Sequence, residues 1–149
     1  MRHLLTRVAV ISETEIGHYG ICGLIQDTAD LECNMSHEFP IVDLAVPLGQ
    51  SDVVVVMMTN PRAIEEKIRA IHALRATIPI VAVVDATALS KNDVIGLLQE
   101  GIVGLTTSLA SATIICLVRL AAQRTGFIDM SVVQDLIKVS DVDRRWFLE

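Results

Sequence analysis

The sequence lacks the compact signatures of common enzyme chemistry. It has no Gly-rich phosphate loop and no GxSxG turn, and His3, His18, His37 and His72 have no acidic partners at ligand spacing. Nucleotide hydrolysis and triad-type nucleophilic catalysis therefore have no motif to start from, and an enzyme is not expected. Cys22, Cys33 and Cys116 are three scattered thiols without CxxC or Cys/His spacing. They indicate neither a disulfide framework nor a zinc site and read as reduced core residues. Positive charge is also short, with 12 Lys and Arg against 18 Asp and Glu for a net charge of −6, whereas holding DNA phosphates takes clustered positive charge. The opening MRHLLTRVAVISE has no long apolar segment ending in a small-residue cleavage site, so a cytoplasmic location is expected.

What is present is hydrophobic. At 149 residues the chain fits one domain with a core large enough to be stable alone. The hydrophobic fraction is 52% and the mean hydropathy is +0.52, which raises the question of a membrane span. Gly101 to Val118 is an uncharged run of suspicious length, but Gly104, Thr106, Thr107, Ser108, Ser111 and Thr113 interrupt it. It reads as a buried strand followed by a buried helix, with no membrane partner.

The chain centres on Asp52 to Pro61, DVVVVMMTNP. A continuous β-branched run closed by turn residues is a strand buried on both faces, the mark of a parallel sheet. In open α/β sheets chemistry sits outside the carboxyl ends of the strands, and here that end offers Met57, Met58, Thr59 and Asn60, with no carboxylate, His or Cys. Strands are also expected at Arg7 to Ser12, Leu31 to Met35, Ile78 to Val84 and Ile102 to Thr106. Helices are expected from the Thr14 cap to about Gln26, over Ile41 to Leu48, from Pro61 to Arg75, from the Ser90 cap to Gly101, and from Leu109 to Arg124. Strands alternating with such helices imply right-handed β-α-β units and a doubly wound five-stranded parallel sheet. Beyond Gly126 a short helix is expected at Ser131 to Lys138, and another begins at Ser140.

In their order, RVAVISETEIGHYGICGLI, DVVVVMMTNP, PIVAVVDA, EGIVGL and RLAAQRTGFIDMSVVQDL resemble the receiver domain of bacterial response regulators, particularly those fused to LuxR-type helix-turn-helix domains. The resemblance implies a flavodoxin/CheY-like doubly wound five-stranded parallel sheet of order 2-1-3-4-5. Residues 1–126 would form the receiver and 127–149 a linker helix with the start of a DNA-binding domain. The last ten residues, SDVDRRWFLE, are similar to that domain's opening, so the chain reads either as truncated there, with DNA contact belonging to the missing part, or as a stand-alone domain with an odd tail.

Receivers are phosphorylated through an acidic pair holding Mg²⁺, an acceptor Asp, a hydroxyl residue and a Lys. The resemblance places Ser12 and Glu13 at the acidic pair, Met57 at the acceptor, Val84 at the hydroxyl position and Ser108 at the lysine. Only Glu13 keeps the required chemistry. A slip of one residue would put Asp85 near the fourth strand tip; otherwise it is a loop acid or helix cap. The implied function is a degenerate, phosphorylation-independent receiver of a transcriptional regulator in a two-component-type system, with no cofactor and no metal.

Two expectations concern partners. The apolar fifth helix implies burial on more than one side, and the family's dimer face of fourth helix, fifth strand and fifth helix would carry Ile95, Leu98, Leu105, Ile115 and Arg119 in a homodimer. Alternatively, the Ser131 to Lys138 helix covers that surface within one chain. The vacated pocket, lined by Met57, Met58, Val84 and Thr106, either binds a small molecule or is filled by methionine. His18, one turn from Glu13 to Glu15, is expected near the mouth of that pocket.

Overall fold

The computed structural model describes residues 5–34, 48–85, 89–124 and 127–128. The helices expected at Ser131 to Lys138 and from Ser140 lie outside them, as does nearly all of the one expected at Ile41 to Leu48.

The first strand, β1 (Thr6–Ser12), enters α1 (Glu15–Gln26) through Thr14, whose hydroxyl accepts the Gly17 N–H at 3.1 Å. A three-residue strand, β2 (Leu31–Cys33), follows. The valine run forms β3 (Val53–Met58), and Asn60 with Pro61 starts α2 (Pro61–Leu74), the Asn60 side chain accepting the Arg62 N–H at 3.0 Å. Then come β4 (Ile80–Val84), α3 (Lys91–Gln99), β5 (Gly104–Thr106), α4 (Ser111–Ala122) and β6 (Phe127–Ile128). Gly101, at φ +91°, ends the segment after α3 in the left-handed region that glycine enters at low cost.

All strands pair in parallel, and the expected order β2-β1-β3-β4-β5 is present. A sixth strand, absent from the sequence reading, extends it: Phe127 and Ile128 pair with Gly104 and Leu105. After α4 comes Arg124, a non-glycine residue at φ +59° that donates from Nη1 to the Thr77 carbonyl at 3.0 Å. A side chain in that region costs about 1 kcal/mol, so the hallmark glycine that marks a helix end was missing from the sequence.

Alternation along β3 divides the core. Val54 and Val56 face α2 and α3, where Ile64, Ile68, Ile71, Val94 and Leu97 are buried. Val53 and Val55 face α1 and α4, against Ile21, Ile25, Ile114, Leu117 and Val118. The four valines are completely buried, each worth roughly 1.5–3 kcal/mol relative to exposure.

The helix α3 is held at its start by a capping box: Asp93 N–H donates to Ser90 Oγ at 3.2 Å, and Ser90 N–H donates to the Asp93 carboxylate at 2.9 Å. Ser90→Ala should lower stability by about 1 kcal/mol and the melting midpoint by roughly 2–4 °C, as read by calorimetry.

The uncharged run from Gly101 to Val118 is divided between β5, a loop and α4, and no helix among the described residues is long and apolar enough to cross a membrane. The expectation that the last long helix is buried on several sides is corrected. One face of α4 is buried, while Ser111, Ala112, Cys116 and Arg119 form an exposed stripe. Cys116 is therefore a surface thiol, unlike the buried Cys22 and Cys33. Apolar character had stood in for burial because alanine and cysteine tolerate either setting.

Candidate functional site

The carboxyl ends of β1, β3 and β4 open onto a cavity of about 380 Å³. Parallel pairing places Ser12 opposite Met57, Met57 opposite Val83 and Met58 opposite Val84, so the strand tips form one wall. Ser12, Glu13, Met57 and Val84, four of the five residues aligned with phosphorylation chemistry, line this cavity. Ser108 does not: its N–H donates to Thr106 Oγ1 at 2.9 Å and its Oγ accepts the Ala110 N–H at 3.1 Å, tying it into the turn before α4. Thr106, expected in the lining, is fully buried, and the next residue, Thr107, faces the cavity instead. A one-residue difference along an extended strand reverses the side chain.

Glu13, the acid kept at the aligned positions, is already engaged. Glu13 Oε1 accepts the Thr59 N–H at 2.8 Å, joining the loop after β1 to the loop after β3. Ser12 Oγ accepts the Thr14 N–H at 3.2 Å. Met57 is half-buried and packs with the α1–α4 layer, its methyl lying close to Gly17. An added β-carbon at Gly17 would collide with that methyl and would stand 2.7 Å from Ser12 Oγ and 2.8 Å from Thr14 Oγ1. The glycine thus lets the methionine lie against the start of α1, with the cavity remaining open beside it. Nothing in the sequence flagged this contact.

Asp85 is exposed immediately beyond β4 and lines the cavity. Thr14 and Thr59 add hydroxyls, and Leu109, 72% exposed, forms part of the rim. Leu109 is the expected first residue of the last helix, but α4 begins two residues later.

His18, expected near the mouth, is fully buried and turned inward. Its Nε2 lies 3.8 Å from Cys22 Sγ, and its ring meets that of Tyr19 edge-on with centroids 5.0 Å apart. The Cys22 thiol is pushed far up by its hydrogen bond with Cys33 and by burial, which makes it an inert core group. Among the described residues no cluster of His, Cys, Asp and Glu is arranged to hold a metal ion.

Of the five residues expected on one dimer face, two, Leu105 and Ile115, are buried, while Ile95, Leu98 and Arg119 reach the surface. Leu105 is fully buried beneath α2 and α3 and has no surface to offer. Ile115 is buried on the opposite layer. On that layer too, Arg119 makes a bidentate pair with Asp30 at 2.7 and 3.0 Å, holding the Asp30 carboxyl below its ordinary range. Leu98 is 42% exposed and Ile95 is half-buried, both on α3. Pairing with β6 also occupies the β5 edge.

The chain matches no protein-family model and no curated protein sequence. Among solved structures it is similar to the response regulator ChrA of a heme-sensing two-component system, with 16% identity and a TM-score of 0.66, over 94% of this chain and 68% of that one. A LuxR family DNA-binding response regulator from Silicibacter pomeroyi is similar over 86% of this chain and 99% of that one, with 14% identity and a TM-score of 0.59. At these identities the likeness establishes the fold, which is that of response regulator receivers.

Proposed function

We propose that this chain is the receiver domain of a cytoplasmic transcriptional regulator and that it signals without being phosphorylated. The observation that carries this reading is Met57 at the tip of β3, where a receiver needs a carboxylate. A thioether has no oxygen to attack a phosphoryl group, and the two neighbouring positions offer Val84 and an inward-tied Ser108. Glu13, the only acid kept at the aligned positions, accepts the Thr59 N–H, and the paired carboxylates that would hold Mg²⁺ are reduced there to Ser12 and Glu13. In this reading the domain regulates and does not catalyse, and DNA contact belongs to a separate domain. Homodimerisation fits the same role, through a surface other than one built on Leu105.

Beryllofluoride with Mg²⁺ tests the reading without requiring turnover, because it mimics a phosphoryl group on an acceptor carboxylate. Fluorine NMR of the chain with this reagent should show no bound signal. A slowly exchanging bound fluoride would refute the assignment.

A second reading has its own support. The cavity of about 380 Å³ beside Met57 lies within the range of small-molecule sites, so the vacated pocket serves as a ligand sensor.

A further inference from the structure

The outward side of α1 carries a pattern that nothing among the described residues uses. Ile16, Tyr19, Gly20 and Gly23 stand at i, i+3, i+4 and i+7 and form one exposed stripe along the helix. Ile16 is 89% exposed and Tyr19 43% exposed, a high cost for two large side chains. An added β-carbon at Gly20 or Gly23 would meet nothing within 4 Å beyond the helix itself. Packing within the protomer therefore requires neither glycine, although each weakens the helix relative to alanine. The stripe is also without charge. α1 holds one charged residue, Glu15, whereas α2 holds Arg62, Glu65, Glu66, Lys67 and Arg69.

Along the stripe the order is bulk, bulk, gap, gap, which is complementary to its own reverse. Two copies of α1 crossing antiparallel, about a two-fold axis level with the Tyr19 to Gly20 step, set Ile16 against the partner's Gly23 and Tyr19 against the partner's Gly20. Each large side chain then meets a glycine, and the helices can approach at the lower end of the roughly 8–10 Å range for packed pairs. A parallel crossing instead sets bulk on bulk and leaves glycine facing glycine. An interface complementary to itself in this way is the kind that closes a two-fold dimer.

Electrostatics favours the same partner. The chain carries a net charge of −6, so two copies repel where their acidic surfaces meet. The stripe is neutral, and the antiparallel crossing sets Glu15 against the partner's Leu24, so no like charges are opposed. The dipoles of the two helices also oppose one another, which is the favourable arrangement. A nucleic acid would find no base on the stripe.

We propose that the outward stripe of α1 is a homodimer interface, occupied by α1 of a second copy of this chain in antiparallel register. The inference names the surface for the homodimer of the reading above and rests on that part of it alone. Tyr19 is prepared for the role: the buried His18 ring braces it edge-on at 5.0 Å between centroids, so little side-chain freedom is lost on association. Two helices of 12 residues bury less than the about 1,200 Å² of a lasting complex, which makes the dimer transient and dependent on concentration. The stripe is joined to the cavity at the strand tips. Gly17, next to Ile16, lies against the Met57 methyl, so a change at the tip of β3 is felt at the start of the interface.

The test is sedimentation velocity of the 149-residue chain over a concentration series, with thermal unfolding of each variant as dilute monomer. The unaltered chain should move from monomer toward dimer as concentration rises. Gly20→Leu and Gly23→Leu fill the seats for Tyr19 and Ile16, and each should weaken association by about tenfold, as overpacking a closed site does. Ile16→Ala should weaken it by about fivefold. Adding Ile16→Ala to Gly23→Leu reopens space for the new side chain and should recover part of the loss. Leucine also raises helix propensity, so both leucine variants should melt higher as dilute monomers while associating less, a pairing that a merely structural role for the glycines does not produce. Unchanged association in both leucine variants would overturn the proposal and leave a homodimer through another surface. No recovery in the double variant would overturn the antiparallel register. A chain that stays monomeric at every concentration would overturn the interface and the homodimer together, and slow amide exchange along α1 in that monomer would assign the stripe to the chain beyond Ile128. The beryllofluoride measurement decides the phosphorylation-independent reading separately.

Discussion

Ile68→Ala should destabilise the protein by about 3–4 kcal/mol and lower its melting midpoint by about 10 °C. Ile68 is completely buried midway along α2, in one cluster with Ile64, Ile71 and the inward valines Val54 and Val56. Truncation removes three carbons from a close-packed site and leaves a cavity that helix and sheet can only partly close. Ile68→Val, which removes a single methylene, should cost about 1 kcal/mol. Denaturant unfolding of both variants distinguishes a packing cost from a general loss of structure: the slope with denaturant should stay constant while the midpoint moves. Equal small effects from both would mean that α2 is not docked on β3.

The glycines of α1 should respond with opposite signs. Gly17→Ala should destabilise by about 1–2 kcal/mol, because the new methyl displaces the Met57 methyl and crowds Ser12 Oγ and Thr14 Oγ1, the latter being the helix cap. The gain in helix propensity, about 1 kcal/mol, offsets only part of the gross penalty. Gly20→Ala and Gly23→Ala have open space around the added carbon, and both positions are exposed. Each should stabilise by about 0.5–1 kcal/mol, and the pair should add. Thermal unfolding of the three single variants and the double variant checks the signs. Stabilisation by Gly17→Ala would show that Met57 moves aside freely and that the tip of β3 is looser than its contacts imply.

The fold was legible because its strongest signals are local and repeated. The valine run, the Asn60-Pro61 start, the Ile64, Ile68 and Ile71 spacing and the Ser90 cap each specify an element without help from the rest of the chain. The tip residues Ser12, Glu13, Met57 and Val84 were also found, since strand ends in a parallel sheet converge by topology. What escaped the sequence depends on three-dimensional neighbours. The strand β6 has two residues and is stabilised by pairing with β5, too short for alternation to register. The end of α4 uses Arg124 in the left-handed region, where a glycine would have been the visible sign.

Faces were the weakest part. Leu105 and Ile115 are expected on a dimer surface, yet both are buried in the core. An apolar residue in a sheet-packed helix or strand is buried more often than it is an interface, and sequence alone does not separate the two. His18 shows the same limit. Its distance from Glu13 along the chain implied the mouth of the site, but the helical phase of α1 turns it beside Cys22 in the core.

The central claim is that no side chain at this cavity accepts a phosphoryl group. Its most direct test is incubation of the chain with acetyl phosphate and Mg²⁺, followed by intact mass measurement under conditions that preserve acyl phosphates. The unmodified 16.2 kDa species is the expected product. A stable phosphoryl adduct, mapped to Asp85 or Glu13 at the cavity, would contradict the account.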